Sequence, residues 1–136
     1  MTPFYAQDHD LSAYNVLAVD DIPLNLLLVQ KMLSRLNLRL RTAGGGQQAL
    51  DMVAEEKPNL ILLDLMMPGI DGFEVFRRLR EDPATADIRI VILSDLNSQE
   101  VVVKGFNAGA NDFIMKPIIM EKLIACVLTQ LQVSGK

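Results

Sequence analysis

The sequence predicts an α/β domain built on a parallel sheet, from three observations. Short apolar runs alternate with longer helical patterns five times over, as in successive βαβ units. Two of the runs, Leu60-Ile61-Leu62-Leu63 and Ile90-Val91-Ile92-Leu93, are apolar on both faces, as strands covered by helices on both sides must be. Four of the five runs end in a polar residue suited to chemistry.

Residues 1–13 are polar and mixed and read as a mobile tail ahead of a domain spanning 14–133, with 134–136 as a C-terminal tail. The first run, Val16-Leu17-Ala18-Val19, ends in Asp20-Asp21. Pro23 suits the first position of a helix, and Leu26, Val29, Leu33 and Leu36 follow at helical spacing. Leu38-Arg39-Leu40-Arg41 alternates apolar and basic, the pattern of an edge strand with one wet face. Gly44-Gly45-Gly46 breaks the chain before a second helix, about Gln47 to Glu55. The third run ends in Asp64. Asp71, with Glu74 three residues on, resembles a capping box and opens a helix to about Arg80. The fourth run ends in Ser94, and a helix from about Gln99 stops at Gly109. Val101, Val102 and Val103 cannot all face inward on that helix, so at least one is expected on the surface. Phe113-Ile114-Met115 is a short last strand ending in Lys116-Pro117. The final helix, about Met120 to Gln132, is apolar through Leu123, Ile124, Val127, Leu128 and Leu131.

Composition narrows the function. At 136 residues, half of them hydrophobic, the chain fits one domain with a core of its own. The single cysteine, Cys126, has no partner for a disulfide within the chain and reads as a small buried hydrophobe. A net charge of −4 without a basic stripe argues against direct nucleic-acid binding. No apolar run is long enough to span a bilayer, and the first ten residues lack the features of a signal peptide, so the expected location is the cytoplasm, with no membrane partner. His9, in the tail, has no second histidine or cysteine near it, and no metal role is assigned to it. Met66-Met67 reads as loop packing. The three glycines lack the lysine and spacing of a phosphate-binding loop.

Ligands of open parallel sheets bind beyond the carboxyl ends of the strands. There the sequence delivers Asp20 and Asp21, Asp64, Ser94 and Lys116. Singly, each has an ordinary explanation as a helix cap, a turn residue or a surface charge. Asp71 is given that role, as an N-cap. The joint placement of the others is harder to explain so. Three neighbouring carboxylates repel one another and call for a hard divalent cation. An all-oxygen set without His or Cys suits Mg²⁺ better than zinc. Lys116 adds a point charge for a phosphate oxygen and Ser94 a hydroxyl donor. A carboxylate nucleophile among such groups describes a phosphoryl-transfer site.

From about Asn15 to Gln132 the sequence resembles the response-regulator receiver family, which includes the chemotaxis protein CheY. Asp64-Leu65-Met66-Met67-Pro68-Gly69-Ile70-Asp71-Gly72 matches that family's D-x-x-M-P-x-x-D-G, and Asp20-Asp21, Ser94, Phe113 and Lys116-Pro117 follow in its order. The resemblance implies a doubly wound, flavodoxin-like (βα)5 three-layer sandwich with strand order 2-1-3-4-5. It implies that Asp64 is the phospho-acceptor and that Asp21, Asp64 and the Met66 backbone carbonyl ligate Mg²⁺. Asp20 would act largely through water, and Lys116 would pair with Asp64 and then with the phosphoryl group. The Lys116-Pro117 bond would be cis. On phosphorylation Ser94 and Phe113 would turn together, reshaping the face of the fourth helix, fifth strand and fifth helix for a downstream protein. The donor would be a sensor histidine kinase or a histidine phosphotransfer protein. The protein would be a signalling module and not an enzyme in the usual sense, a monomer or a dimer linked to phosphorylation.

Three positions depart from that pattern or tune it. Asp95 stands where the family has a small residue, and its carboxylate should repel an incoming phosphoryl group. Met66 and Leu96 flank the attacking water in the family. Both are apolar and cannot orient it, which predicts a long-lived phosphoryl group. A small Asp-nucleophile phosphatase would put a D-x-D pattern after its first strand. A flavin-binding domain would put a Ser/Thr-rich loop there. Asp20-Asp21-Ile22-Pro23 is neither. A receiver that binds partners without being phosphorylated is the remaining alternative. No room is expected after Gln132 for an output domain.

Overall fold

A computed structural model describes residues 11–65, 67, 69–94, 103–105, 107 and 109–134, with side chains described up to residue 131. Five strands, β1 (Asn15–Val19), β2 (Arg39–Ala43), β3 (Leu60–Asp64), β4 (Arg89–Ser94) and β5 (Asp112–Met115), alternate with helices. These are α1 (Pro23–Leu33), α2 (Gly46–Glu55), α3 (Gly72–Glu81), α4, helical at residues 103–105 and 107, and α5 (Met120–Ser134). All strand pairs are parallel, in the order β2-β1-β3-β4-β5. This is the doubly wound sandwich that the sequence implies.

The period of two along a strand sorts the core into two layers. Val16, Ala18, Leu60, Leu62, Val91 and Leu93 face α1 and α5, where Val29, Leu33, Leu123, Val127 and Leu131 cover them. Leu17, Val19, Ile61, Leu63, Ile90 and Ile92 face the opposite layer and meet Ala49, Val53, Val75, Phe76 and Leu79 of α2 and α3. Such residues are essentially inaccessible to water, and each large one stabilises the fold by roughly 1.5–3 kcal/mol. β2 lies at the edge as predicted, and only Ala43 in it is fully buried.

Helix α1 starts on Pro23 and ends in a 3-10 turn, Ser34–Leu36, which buries Leu36 before Asn37 closes it in the left-handed region at φ 57°. Leu11, assigned by the sequence to the tail, is buried in the α1/α5 layer, and the Tyr14 N–H donates to its carbonyl at 2.9 Å. In the sequence Arg80 of α3 marks only a helix end. Its guanidinium donates to the carbonyls of Ala86, Ile88 and Gly109 and to Asn111 Oδ1, and sits over the Phe76 ring. It thereby ties α3 to the start of β4 and to the connection that feeds β5. Val103 is exposed, as one of the three valines had to be; Val101 and Val102 lie outside the described residues.

Cys126 is buried on α5, its thiol 3.4 Å from Asp112 Oδ2. Burial first, and the Asp112 carboxylate second, push its pKa up to about 12. The thiolate is the reactive form, so at pH 8 the folded protein holds far less of it than an ordinary cysteine would. Iodoacetamide at that pH is expected to alkylate the urea-unfolded chain fully and leave the native protein unmodified, as read by intact mass.

Candidate functional site

The order of strands reverses at β1, whose neighbours are β2 and β3, and the crevice beyond β1 and β3 is where such a sheet binds ligands. Val19 pairs with Leu63, so the residues that follow, Asp20 and Asp64, emerge side by side. The Asp20 N–H donates to the Ala43 carbonyl at 3.1 Å, which fixes the turn out of β1. On the other flank the Lys116 N–H donates to the Ser94 carbonyl at 2.8 Å, which extends the β4–β5 ladder by one bond. The Lys116–Pro117 peptide bond is cis, as the resemblance implies.

The sheet thus brings Asp20, Asp21, Asp64, Ser94 and Lys116 to one end. One carboxylate oxygen each of Asp20, Asp21 and Asp64 lies within 4.8 Å of the others. Asp20 and Asp64 are buried and Asp21 is half-buried. Lys116 Nζ stands 3.3 Å from Asp20 Oδ2 and 3.5 Å from Asp64 Oδ1. The lysine is therefore shared by two acids and lies slightly closer to Asp20, whereas the sequence paired it with Asp64. Burial pulls the Lys116 ammonium down, but the Asp64 and Asp20 carboxylates outweigh it and hold its pKa above the ordinary lysine value. It stays charged through the neutral range. Ser94 is fully buried at the end of β4.

Asp20 has further protein partners. Its Oδ1 accepts from the Ile22 N–H at 2.9 Å and its Oδ2 from Asn25 Nδ2 at 3.1 Å. Asn25 was not singled out by the sequence, although its place in the first turn of α1 points it back at the end of β1. Among the described residues the trio of Asp20, Asp21 and Asp64 contains no His or Cys, and an all-carboxylate set of this spacing fits a hard, oxygen-preferring divalent ion such as Mg²⁺.

Gly72 is a second residue the chemistry alone would not single out. Its N–H donates to the Leu65 carbonyl at 3.1 Å, and α3 begins against the end of β3. A Cβ at Gly72 would overlap the Asp64 carbonyl oxygen and fall 2.6 Å from the Leu65 Cα. Asp71 before it caps α3, its Oδ1 accepting the Glu74 N–H at 2.9 Å. Only that half of the capping box is seen, because the Glu74 carboxylate turns to Arg77 and Arg78, whose hydrogen bonds lower its pKa to about 2. Phe113 is half-buried in the α2/α3 layer, below Gly105 of α4, where an added Cβ would lie 3.8 Å from the ring. Met66, Asp95 and Leu96 lie outside the described residues.

Residues 16–128 match the family described as the response regulator receiver domain. The chain belongs to that family. It is 43% identical over 103 residues to the response regulator PleD of Caulobacter vibrioides, a match covering 76% of this chain and 23% of PleD. It is 37% identical over 112 residues to the DNA-binding dual master transcriptional regulator RpaA of Synechocystis, covering 82% of this chain and 46% of RpaA. The chain therefore spans about a quarter to a half of these relatives. Among solved structures, the BeF3-activated DrrB receiver domain superposes with a TM-score of 0.79 at 33% identity, covering 88% of this receiver and 97% of that chain. A chemotaxis protein, CheY4 of Vibrio cholerae, gives 0.81 at 28% identity, covering 87% and 98%.

Proposed function

We propose that this receiver accepts a phosphoryl group on Asp64 from a phosphohistidine donor, a sensor kinase or a histidine phosphotransfer protein. The observation that carries the reading is the cluster of Asp20, Asp21 and Asp64 with Lys116 set against it, at the carboxyl ends of β1, β3 and β5. An Asp64 carboxylate oxygen attacks phosphorus; the O–P bond forms as the donor's P–N bond breaks, and the imidazole departs with the electron pair. Asp21 and Asp64, with the Met66 carbonyl, would hold Mg²⁺ directly and Asp20 through water. Bound there, Mg²⁺ supplies positive charge to the transferred oxygens. Lys116, 3.5 Å from Asp64 Oδ1, would follow the charge from the Asp64 carboxylate to the phosphoryl group. The Ser94 hydroxyl would donate to the same group, and Phe113 would turn with it, presenting a changed α4–β5–α5 face to a downstream protein. Exposed Val103 and Met115 support a contact there.

Phosphoramidate, which carries the P–N bond of phosphohistidine, is the discriminating reagent. One phosphoryl group per chain, with no turnover of p-nitrophenyl phosphate, is the expected result; steady turnover of the ester would make the protein a phosphatase instead. Asp95 is expected to slow uptake by repulsion. Asp95→Ala should load several-fold faster in the same assay, and an unchanged rate would dismiss the role. With apolar Met66 and Leu96 at the two positions that flank the attacking water in the family, the phosphoryl group should decay slowly.

A further inference from the structure

Asn25 is the third residue of α1, and it reaches back to the end of β1, where its Nδ2 donates to Asp20 Oδ2 at 3.1 Å. The other oxygen of that carboxylate, Oδ1, accepts the Ile22 N–H at 2.9 Å. The start of α1 therefore grips Asp20 by both oxygens. A carboxylate held by one oxygen swings about that bond; held by both, it keeps one orientation. The local sequence makes room for this grip. Ile22 is the N-cap of α1 and makes no side-chain cap. In a capping box the third helical residue would accept the N-cap N–H. Here Asp20 already takes that N–H, which leaves residue 25 to act as a donor to the same carboxylate.

An amide at this position suits the site and not the helix. Asn is a poor helix former, and the helix dipole favours an acid in a first turn, yet the first turn of α1 carries none. An acid at position 25 would repel Asp20 and join three carboxylates already clustered. A base there would cancel the charge that attracts a cation. A neutral N–H donor holds Asp20 and leaves its charge whole. Lys116 competes for the same oxygen. Its Nζ lies 3.3 Å from Asp20 Oδ2, beyond the roughly 2.7–2.9 Å of a well-formed bond between ammonium and carboxylate. Without the Asn25 donor the carboxylate would turn to seat the ammonium, and its charge would serve Lys116 instead of a cation.

We propose that Asn25 is a positioning residue of the phosphoryl site, which locks the Asp20 carboxylate in the orientation that favours a divalent cation among Asp20, Asp21 and Asp64. The metal role rests on the function proposed above, in which Asp20 meets Mg²⁺ through water. Residues that orient the partners of a metal contribute roughly ten- to a hundredfold to its affinity.

Titration calorimetry of the unphosphorylated chain with Mg²⁺ tests it. Asn25→Ala should weaken Mg²⁺ binding roughly tenfold. Asn25→Leu, close in size and without the donor, should lose as much, and is the second variant should the first fail to fold. In an Asp20→Ala background, Asn25→Ala should weaken binding by about twofold or less, since Asn25 acts through Asp20. A variant that melts lower but binds Mg²⁺ as the wild type does would make Asn25 a purely structural residue and overturn the proposal. So would an equal loss with the Asp20 carboxylate already removed. The grip itself is read in EDTA, from the Asn25 side-chain amide signals in the NMR spectrum. Asp20→Ala should shift those signals and speed their exchange with water; unmoved signals overturn the proposal at its first step. A wild type without affinity for Mg²⁺ overturns the metal role of Asn25 together with the proposed function. With wild-type binding intact, a silent Asn25→Ala sinks this inference alone.

Discussion

Asp64→Asn is expected to abolish phosphoryl uptake while keeping the fold. The asparagine is nearly isosteric, so the packing at the end of β3 survives, but its neutral amide is not a nucleophile toward phosphorus. Asp20 is held by Ile22, Asn25 and Lys116, and Asp21 is carried on a different strand end, so neither can replace it. The substitution also removes one of three neighbouring carboxylates, two of them buried. Without metal the variant should therefore be the more stable protein, by about 1 kcal/mol or roughly 4 °C in melting temperature. Millimolar Mg²⁺ should raise the melting temperature of the wild type and raise that of the variant little, because binding to the folded state stabilises it in proportion to affinity. Calorimetry in EDTA and in Mg²⁺ checks both signs. An acceptor elsewhere in the chain would show itself as undiminished uptake by the variant.

Gly72→Ala should damage both stability and loading. The added methyl group has no flexible side chain to push aside; it meets the backbone of Asp64 and Leu65, so either α3 lifts or the end of β3 shifts. Overpacking of this kind costs about 2–3 kcal/mol, a fall of roughly 7–10 °C for a domain of this size. The displaced atoms belong to Asp64, the proposed acceptor, so phosphoryl uptake should slow by at least tenfold in protein that remains folded. A melting temperature within a degree or two of wild type would mean that the contact is slack and that Gly72 is not the spacer between α3 and the end of β3.

The strands were legible because a parallel sheet writes itself twice, in apolar runs and in the polar residue that ends each run. Asp64 closes β3 and Ser94 closes β4, as read, and Asp20 and Lys116 follow β1 and β5 directly. Pro23 and Gly109 marked a helix start and a helix stop correctly because their effects are local. Features that depend on distant partners were not legible. Leu11 is one apolar residue in a polar run and has no period to betray its burial. Arg80 looks like any basic residue in a last helical turn until the fold brings the Gly109 carbonyl and Asn111 to it. Leu36 kept the helical spacing of α1 yet sits in a 3-10 turn, since spacing does not separate the two helix types at a frayed end. The shared position of Lys116 between Asp20 and Asp64 follows from strand adjacency, which no local pattern encodes.

Intact mass of the wild-type protein after incubation with acetyl phosphate, in Mg²⁺ and separately in EDTA, decides whether these acids form a metal-dependent phosphoryl acceptor. One added phosphoryl group in Mg²⁺ and none in EDTA is the predicted result. Equal loading in both would contradict a metal role for Asp20, Asp21 and Asp64. No loading in either, by a protein that calorimetry finds folded, would leave a receiver that binds its partners without phosphorylation.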